Sequence, residues 1–106
     1  MEQKLYDTVT DCPVIAAIKD DAGLERCLDS DIQIVFVLYG DIVSIPEIVD
    51  RIKKKGKLAM VHADLISGLA GKEIAIDFLK RNTQADGIIS TKLSFIKRAK
   101  ELGMAT

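Results

Sequence analysis

Short apolar runs alternate with amphipathic helical stripes along this sequence, which predicts an α/β fold of repeated βα units with parallel strands. Two further observations support that class. The runs are apolar throughout rather than at every second residue, as in strands covered on both faces. Each run is separated from the next by one helix-length segment, which calls for parallel pairing through right-handed crossovers.

The first strand is expected over Pro13–Ile18, a continuous apolar run after a proline. Leu24, Cys27 and Leu28 follow at helical spacing, and Asp20 and Asp21 suit a helix N-terminus. Ile32–Tyr39 is the second strand, broken by Gly40 and Asp41. Ser44 and Glu47 read as a capping box with Pro46 in the first turn, and Ile45, Ile48, Val49 and Ile52 as the buried stripe. Lys53, Lys54 and Lys55 suit the helix C-terminus, and Gly56 its cap. The third strand is expected over 58–62 and the third helix over Lys72–Arg81, with Ile74, Phe78 and Leu79 inward. Gly87–Ile89 is a short fourth strand. The fourth helix uses Phe95, Ile96, Ala99 and Leu102 and stops at Gly103, and Met104–Thr106 read as the start of a fifth strand. Four such units fit either a doubly wound sheet or half of an eight-unit barrel, and periodicity leaves the two open. A complete barrel needs about 250 residues; this chain has 106.

Composition predicts a single cytoplasmic domain over residues 1–106. Apolar residues make up 48% and charged residues 29%, too apolar for disorder. A net charge of -1 lacks the broad basic excess of most nucleic-acid binders, so any RNA contact needs a local patch. Cys12 and Cys27 are too few for a disulfide framework and lack zinc spacing; both read as reduced, buried thiols. Met1–Thr10 has no apolar run and is not read as a signal peptide, and no stretch is long enough to span a membrane.

In either fold, chemistry gathers where strands end and loops lead into helices. Those places hold Lys19, Asp20 and Asp21; then Tyr39, Gly40 and Asp41; then His62, Asp64 and the loop Leu65–Gly71; then Ser90, Thr91 and Lys92. Lysines, hydroxyls and glycines on one rim suit an anionic ligand, because they supply charge, donors and close backbone approach. Lys19 and Lys92 read equally well as solvated loop cations. His62 is the only histidine, with Asp64 as a partner two residues on, and no metal site is expected. Ser67 and Ser90 belong to no triad. Gly68–Lys72 (GLAGK) is not a P-loop: the glycine spacing is wrong and Glu73 stands where Ser or Thr is required. The strongest charge feature is Arg51, Lys53, Lys54, Lys55 and Lys57, which reads as a solvated helix end or as a contact for RNA phosphates.

Four segments carry a resemblance: CPVIAAIKD (Cys12–Asp20), IVFVLYGDI (Ile34–Ile42), VHADLISGL (Val61–Leu69) and ADGIISTK (Ala85–Lys92). In this order and spacing they resemble the glycerol-3-phosphate-responsive antiterminators of glycerol-uptake operons, from about Thr10 to Gly103. The resemblance implies a regulator built on a TIM-type (β/α) barrel, of which this chain would be the first half, an incomplete barrel of four βα units and the start of a fifth strand. It implies binding of glycerol 3-phosphate and of the leader of the target mRNA to prevent early termination, with no cofactor and no catalysis. Carried over by position, Lys19, His62, Asp64, Ser90, Thr91 and Lys92 would face the ligand mouth. The rival readings are a phosphate-handling barrel enzyme using Lys19 or Lys92, against which stands the lack of paired acids, and a half-barrel that functions only on association. A half-barrel would expose its edge strands and an inner face expected to carry Val14, Val35, Val37 and Met60, which predicts at least a dimer.

Overall fold

The computed structural model describes residues 14–106, so the expectations placed on Met1–Thr10, Cys12 and Pro13 lie outside it. The elements are β1 (Ile15–Ile18), α1 (Asp21–Leu28), β2 (Ile34–Val37), α2 (Ile45–Lys54), β3 (Leu58–His62), a short 3-10 turn (Ala63–Leu65), α3 (Ile74–Asn82), β4 (Gly87–Ile89) and α4 (Leu93–Glu101). The strands lie in the order β1-β2-β3-β4, every neighbouring pair parallel. That order answers what periodicity left open. A doubly wound sheet reverses its strand order to place helices on both faces. Here the order never reverses, and the four helices of the described residues pack on one face.

The core shows this directly. Ile18, Val35, Val37, Ala59, Val61 and Ile88 of the strands join Leu24 of α1, Val49 of α2, Ile76 of α3 and Phe95 of α4 in one buried cluster. The other face carries Ile34, Leu58 and Met60 with Phe36, Ile89 and Ala105, and among the described residues no helical residue. This one-way winding matches part of a (β/α) barrel, whose helices ring the outside and whose bare face points to the axis.

The expected inner face is corrected. Val35 and Val37 lie under the helices, Val14 precedes β1, and only Met60 belongs to the bare face. Nor is that face laid open: Ile34, Leu58 and Met60 are 2%, 2% and 5% exposed. On this face Ile34 stands opposite Leu58 and Phe36 opposite Met60 in register.

Two helix details also differ from expectation. The Ser44–Glu47 capping box does not form, because Ser44 already has helical backbone and its side chain caps nothing in α2. A reciprocal box forms three residues earlier. The Asp41 carboxylate accepts the N–H of Ser44 at 2.7 Å and of Val43 at 2.9 Å, while Ser44 Oγ accepts the Asp41 N–H at 3.0 Å. In α3 the inward stripe is Ala75, Ile76 and Leu79; Ile74 is 66% exposed and Phe78 only half-buried. The helix starts two residues later than expected, at Ile74, which leaves that residue on its open first turn.

The chain leaves α4 through Gly103, at φ +76°, and returns to the sheet. Ala105 bridges Gly87 in parallel: its carbonyl accepts the Ile88 N–H at 2.9 Å and its N–H reaches the Asp86 carbonyl at 3.0 Å. Met104–Thr106 therefore occupies the fifth-strand lane. The lane is so tight that a Cβ on Gly87 would lie 2.2 Å from the Ala105 oxygen. Gly87→Ala should accordingly cost about 1–3 kcal/mol, the usual penalty for overpacking. Urea unfolding at neutral pH checks this; an unchanged midpoint would contradict the tight lane.

Candidate functional site

Parallel strands all point their C-terminal ends to one rim, and here loop after loop is stitched along it. The loop after β2 pairs with the loop after β3: Ser67 N–H donates to the Gly40 carbonyl at 3.0 Å, and Ile42 N–H to the Ser67 carbonyl at 2.9 Å. The loop after β3 is tied to that after β4 by Asp64. Its carboxylate accepts Ser90 Oγ–H at 3.0 and 3.1 Å, Thr91 N–H at 3.0 Å and Thr91 Oγ–H at 3.3 Å. Ser90 Oγ in turn accepts the Lys92 N–H at 3.0 Å. Burial alone would raise the Asp64 pKa, but the Thr91 N–H, the two hydroxyls and the nearby His62 outweigh it and hold it below the ordinary 3.8.

Asp64, Ser90, Thr91 and Lys92 are thus brought together. Lys92 precedes α4, its ammonium 4.8 Å from the centroid of the Phe95 ring. Gly71, on the loop before α3, lies against that ammonium: a Cβ there would sit 3.2 Å from Nζ. Leu93 and Ser94 open α4 with no side-chain cap on their N–H groups. His62 ends β3 beside this cluster, but Asp64 is not its hydrogen-bond partner. The chain enters a 3-10 turn at Ala63, so the period of two that would align them is lost. His62 Nδ1 is buried without a hydrogen-bond partner among the described residues. Lys19 is not gathered in. It follows β1, three strand spacings or roughly 14 Å from the end of β4.

The two sides of the rim differ in charge. Beside β1 and β2, a groove of about 530 Å³ is lined by Asp21, Glu25, Tyr39, Asp41, Glu47 and Arg51 among others, with Tyr39 donating to Asp21 at 2.7 Å. Burial first, and then Asp21, raise the Tyr39 pKa. Four carboxylates make that side hostile to an anion. The β3–β4 side, with Lys92 and an uncapped helix, is the one suited to it.

The basic run lies mostly at the opposite end of the strands, where residues of a barrel usually serve stability. Lys57 is 6% exposed, its ammonium donating to the carbonyls of Ser30 and Ile32 at 2.7 Å each. Its ammonium is engaged within the fold, unlike the exposed Lys54 and Lys55 of the same run. Lys53 pairs with Asp86 at 2.8 Å, Lys54 with Asp50 at 2.8 Å, and Arg51 with Glu25. Lys55 is exposed and makes no salt bridge among the described residues. Among the described residues no helix is long and apolar enough to cross a membrane.

A sequence model of glycerol-3-phosphate responsive antiterminators matches residues 14–106. The chain belongs to that family. The antiterminator assignment agrees with two solved structures. A glycerol uptake operon antiterminator regulatory protein from Listeria monocytogenes superposes with a TM-score of 0.83 at 32% identity, covering 89% of this chain. An antiterminator-related protein from Thermotoga maritima gives 0.76 at 32% identity over 88% of this chain. An uncharacterized Escherichia coli protein, YgcP, is 53% identical over 91 residues, 86% of this chain. The chain spans about half of each relative: 48% of the E. coli protein and 51% and 52% of the solved chains.

One neighbour of the Lys92 ammonium escaped sequence reasoning: Phe95 was read only as core, whereas Gly71 was already placed on the rim loop Leu65–Gly71. The spacing Lys92–Phe95, one helical turn, was the available signal for it. The Asp64 clamp gives a pH prediction. A depressed folded pKa stabilises above the unfolded value, and that stability is lost as pH falls through the folded value. Asp64→Asn should therefore be less stable than wild type at neutral pH, with the gap closing as pH drops below 3.8. Urea midpoints across the acid range measure it; a gap independent of pH would contradict the clamp. At the other end, Lys57→Ala should cost about 1–3 kcal/mol by leaving two carbonyls unpaired, and Lys55→Ala less than about 0.5 kcal/mol. Equal effects in the same assay would contradict the division of the basic run.

Proposed function

We propose that this chain is part of a transcription antiterminator that responds to glycerol 3-phosphate and binds the leader of glycerol-operon mRNA. The observation that carries the effector reading is the convergence of Asp64, Ser90, Thr91 and Lys92 on the β3–β4 rim of a chain in this family. The roles divide by geometry. Asp64 already accepts from Ser90 and Thr91, so it positions the loop rather than meeting the ligand. The Lys92 ammonium and the N–H groups opening α4 offer the phosphate a point charge and aligned donors. His62, whose buried Nδ1 is unpaired, stands beside them as a partner for a ligand hydroxyl.

RNA contact calls for exposed cations. Lys55 is exposed and makes no salt bridge among the described residues, and Lys54 is exposed with its head on Asp50, whereas Lys53 and Lys57 are held within the fold. A regulator needs no catalytic group, and the acids of the rim are committed to hydrogen bonds or gathered on the wrong side for phosphate chemistry.

Isothermal titration with glycerol 3-phosphate tests the effector reading. Saturable binding is expected, weakened at least tenfold in Lys92→Ala, since a charge-assisted hydrogen bond contributes about 1.5–3 kcal/mol. Glycerol alone should bind far more weakly. Binding that ignores Lys92, or equal affinity for glycerol, would contradict the assignment. For the RNA, Lys54→Gln with Lys55→Gln should flatten the dependence of leader affinity on salt by about one to two phosphate contacts; an unaltered slope places the RNA elsewhere.

A further inference from the structure

The overall charge of -1 conceals a basic segment: residues 72–106 hold seven Lys and Arg against four Asp and Glu, a net charge of +3. Three of those four carboxylates are already engaged, Asp86 by Lys53, and Asp77 and Glu101 by Arg98. Lys80 and Arg81 in the last turn of α3, and Lys97 on α4, are exposed and make no salt bridge among the described residues. A helix dipole alone favours cations in a last turn. It does not account for Lys97, which lies before the last turn of α4. Nor does it account for a groove of about 310 Å³ on the same face, lined by Ile74, Asp77, Phe78, Arg81 and Asn82. These positions are spaced by three and four along α3 and so share one side of it. Phe78 is half-buried there. Asp77 takes two N–H bonds from Arg98 at 2.8 Å each, which balances its charge. Asn82 donates to the Phe78 carbonyl at 3.2 Å, which leaves its amide an oxygen and a second N–H to offer.

We propose that this outer face of α3 and α4 holds single-stranded RNA: one unpaired base enters the groove beside Phe78, and the flanking phosphates meet Lys80, Arg81 and Lys97. The inference rests on the RNA part of the reading above and gives it a second surface, beyond Lys54 and Lys55. An aromatic ring next to an amide and a guanidinium offers a splayed base a surface to stack on and partners for its edge. A duplex keeps its bases stacked inside and would meet the cations alone. An acidic protein would likewise meet the cations and have no use for the ring. The position agrees with the first surface. Each helix joins parallel strands in the same sense, so α2 and α3 end side by side, with Lys54 and Lys55 at one end and Lys80 and Arg81 at the other's. That end lies away from the rim that carries Asp64 and Lys92, so RNA and effector do not contend for one place.

Fluorescence anisotropy of a labelled glycerol-operon leader RNA, titrated with the protein over a range of salt, is the test. Arg81→Gln with Lys97→Gln should flatten the slope of log affinity against log salt by about 1.4, at about 0.7 for each phosphate of a single strand. Phe78→Leu should weaken binding about fivefold or more and leave that slope unchanged, because a stacked base releases no counterion. Its urea midpoint reports whether it folds, and Asn82→Ala, at an exposed position, should weaken binding in the same direction without that concern. A wild-type protein that binds no leader would overturn this inference together with the RNA reading. Leader binding that none of these changes affects would overturn this inference and leave the RNA reading standing. Equal loss of slope in Arg26→Gln, an exposed cation on α1, would mark a bulk charge effect. Stronger displacement of the leader by polyglutamate than by oligouridylate would mark a surface for acidic proteins. Either result would also overturn it.

Discussion

Much of this structure depends on one carboxylate, that of Asp86. It stands just before β4 and accepts the Ala59 N–H at 2.8 Å and the Lys53 ammonium at 2.8 and 3.0 Å. Its backbone N–H donates to the Ala59 carbonyl, and its own carbonyl takes the Ala105 N–H. One residue thereby joins the start of β3, the end of α2, the start of β4 and the fifth-strand lane. A hydrogen bond to a charged group contributes about 1.5–3 kcal/mol, and leaving buried partners unpaired costs comparably. Asp64 mirrors it at the other end, where a carboxylate of the β3 loop holds the groups that follow β4. The two acids fix β3 and β4 to each other at both ends, which leaves the rim between them rigid enough to present a site.

That rigidity has a functional reading. On the proposed effector reading, Ser90, Thr91 and Lys92 sit on short segments whose backbones are already fixed by hydrogen bonds, so little ordering would remain to be done on binding. The basic run shows the opposite economy. Lysines that look like a nucleic-acid patch in one dimension are spent on holding the fold: Lys57 on two carbonyls and Lys53 on Asp86. What remains free is a much smaller cationic surface at the end of α2.

Most of the architecture was legible in the sequence, because strand runs and helical stripes repeat with clear spacing. Three things were not. Strand faces could not be told apart: Ile34, Val35, Phe36 and Val37 are all apolar, so the period of two leaves no trace. The start of α2 held two capping residues three apart, and the Asp41 turn formed in preference to the Ser44 box. In α3, apolar residues border the true stripe on both sides, and only tertiary packing chooses Ala75 and Ile76 over Ile74. At the rim, Ser90, Thr91 and Lys92 were singled out because they follow a strand. Their dependence on Asp64 is a contact between two loops, 26 and 27 residues apart for Ser90 and Thr91, which no local pattern encodes. The sequential strand order was equally invisible, since both rival folds share one alternation.

The central claim is that the β3–β4 rim receives a phosphorylated small molecule. An amide chemical-shift titration of the labelled chain with glycerol 3-phosphate tests it most directly. Saturable shifts centred on Gly71, Ser90, Thr91, Lys92 and Leu93, with little change at Lys55 or Lys57, are the result this account predicts. Shifts centred on the acidic side around Tyr39 and Asp41, or no saturable shift anywhere, would contradict it.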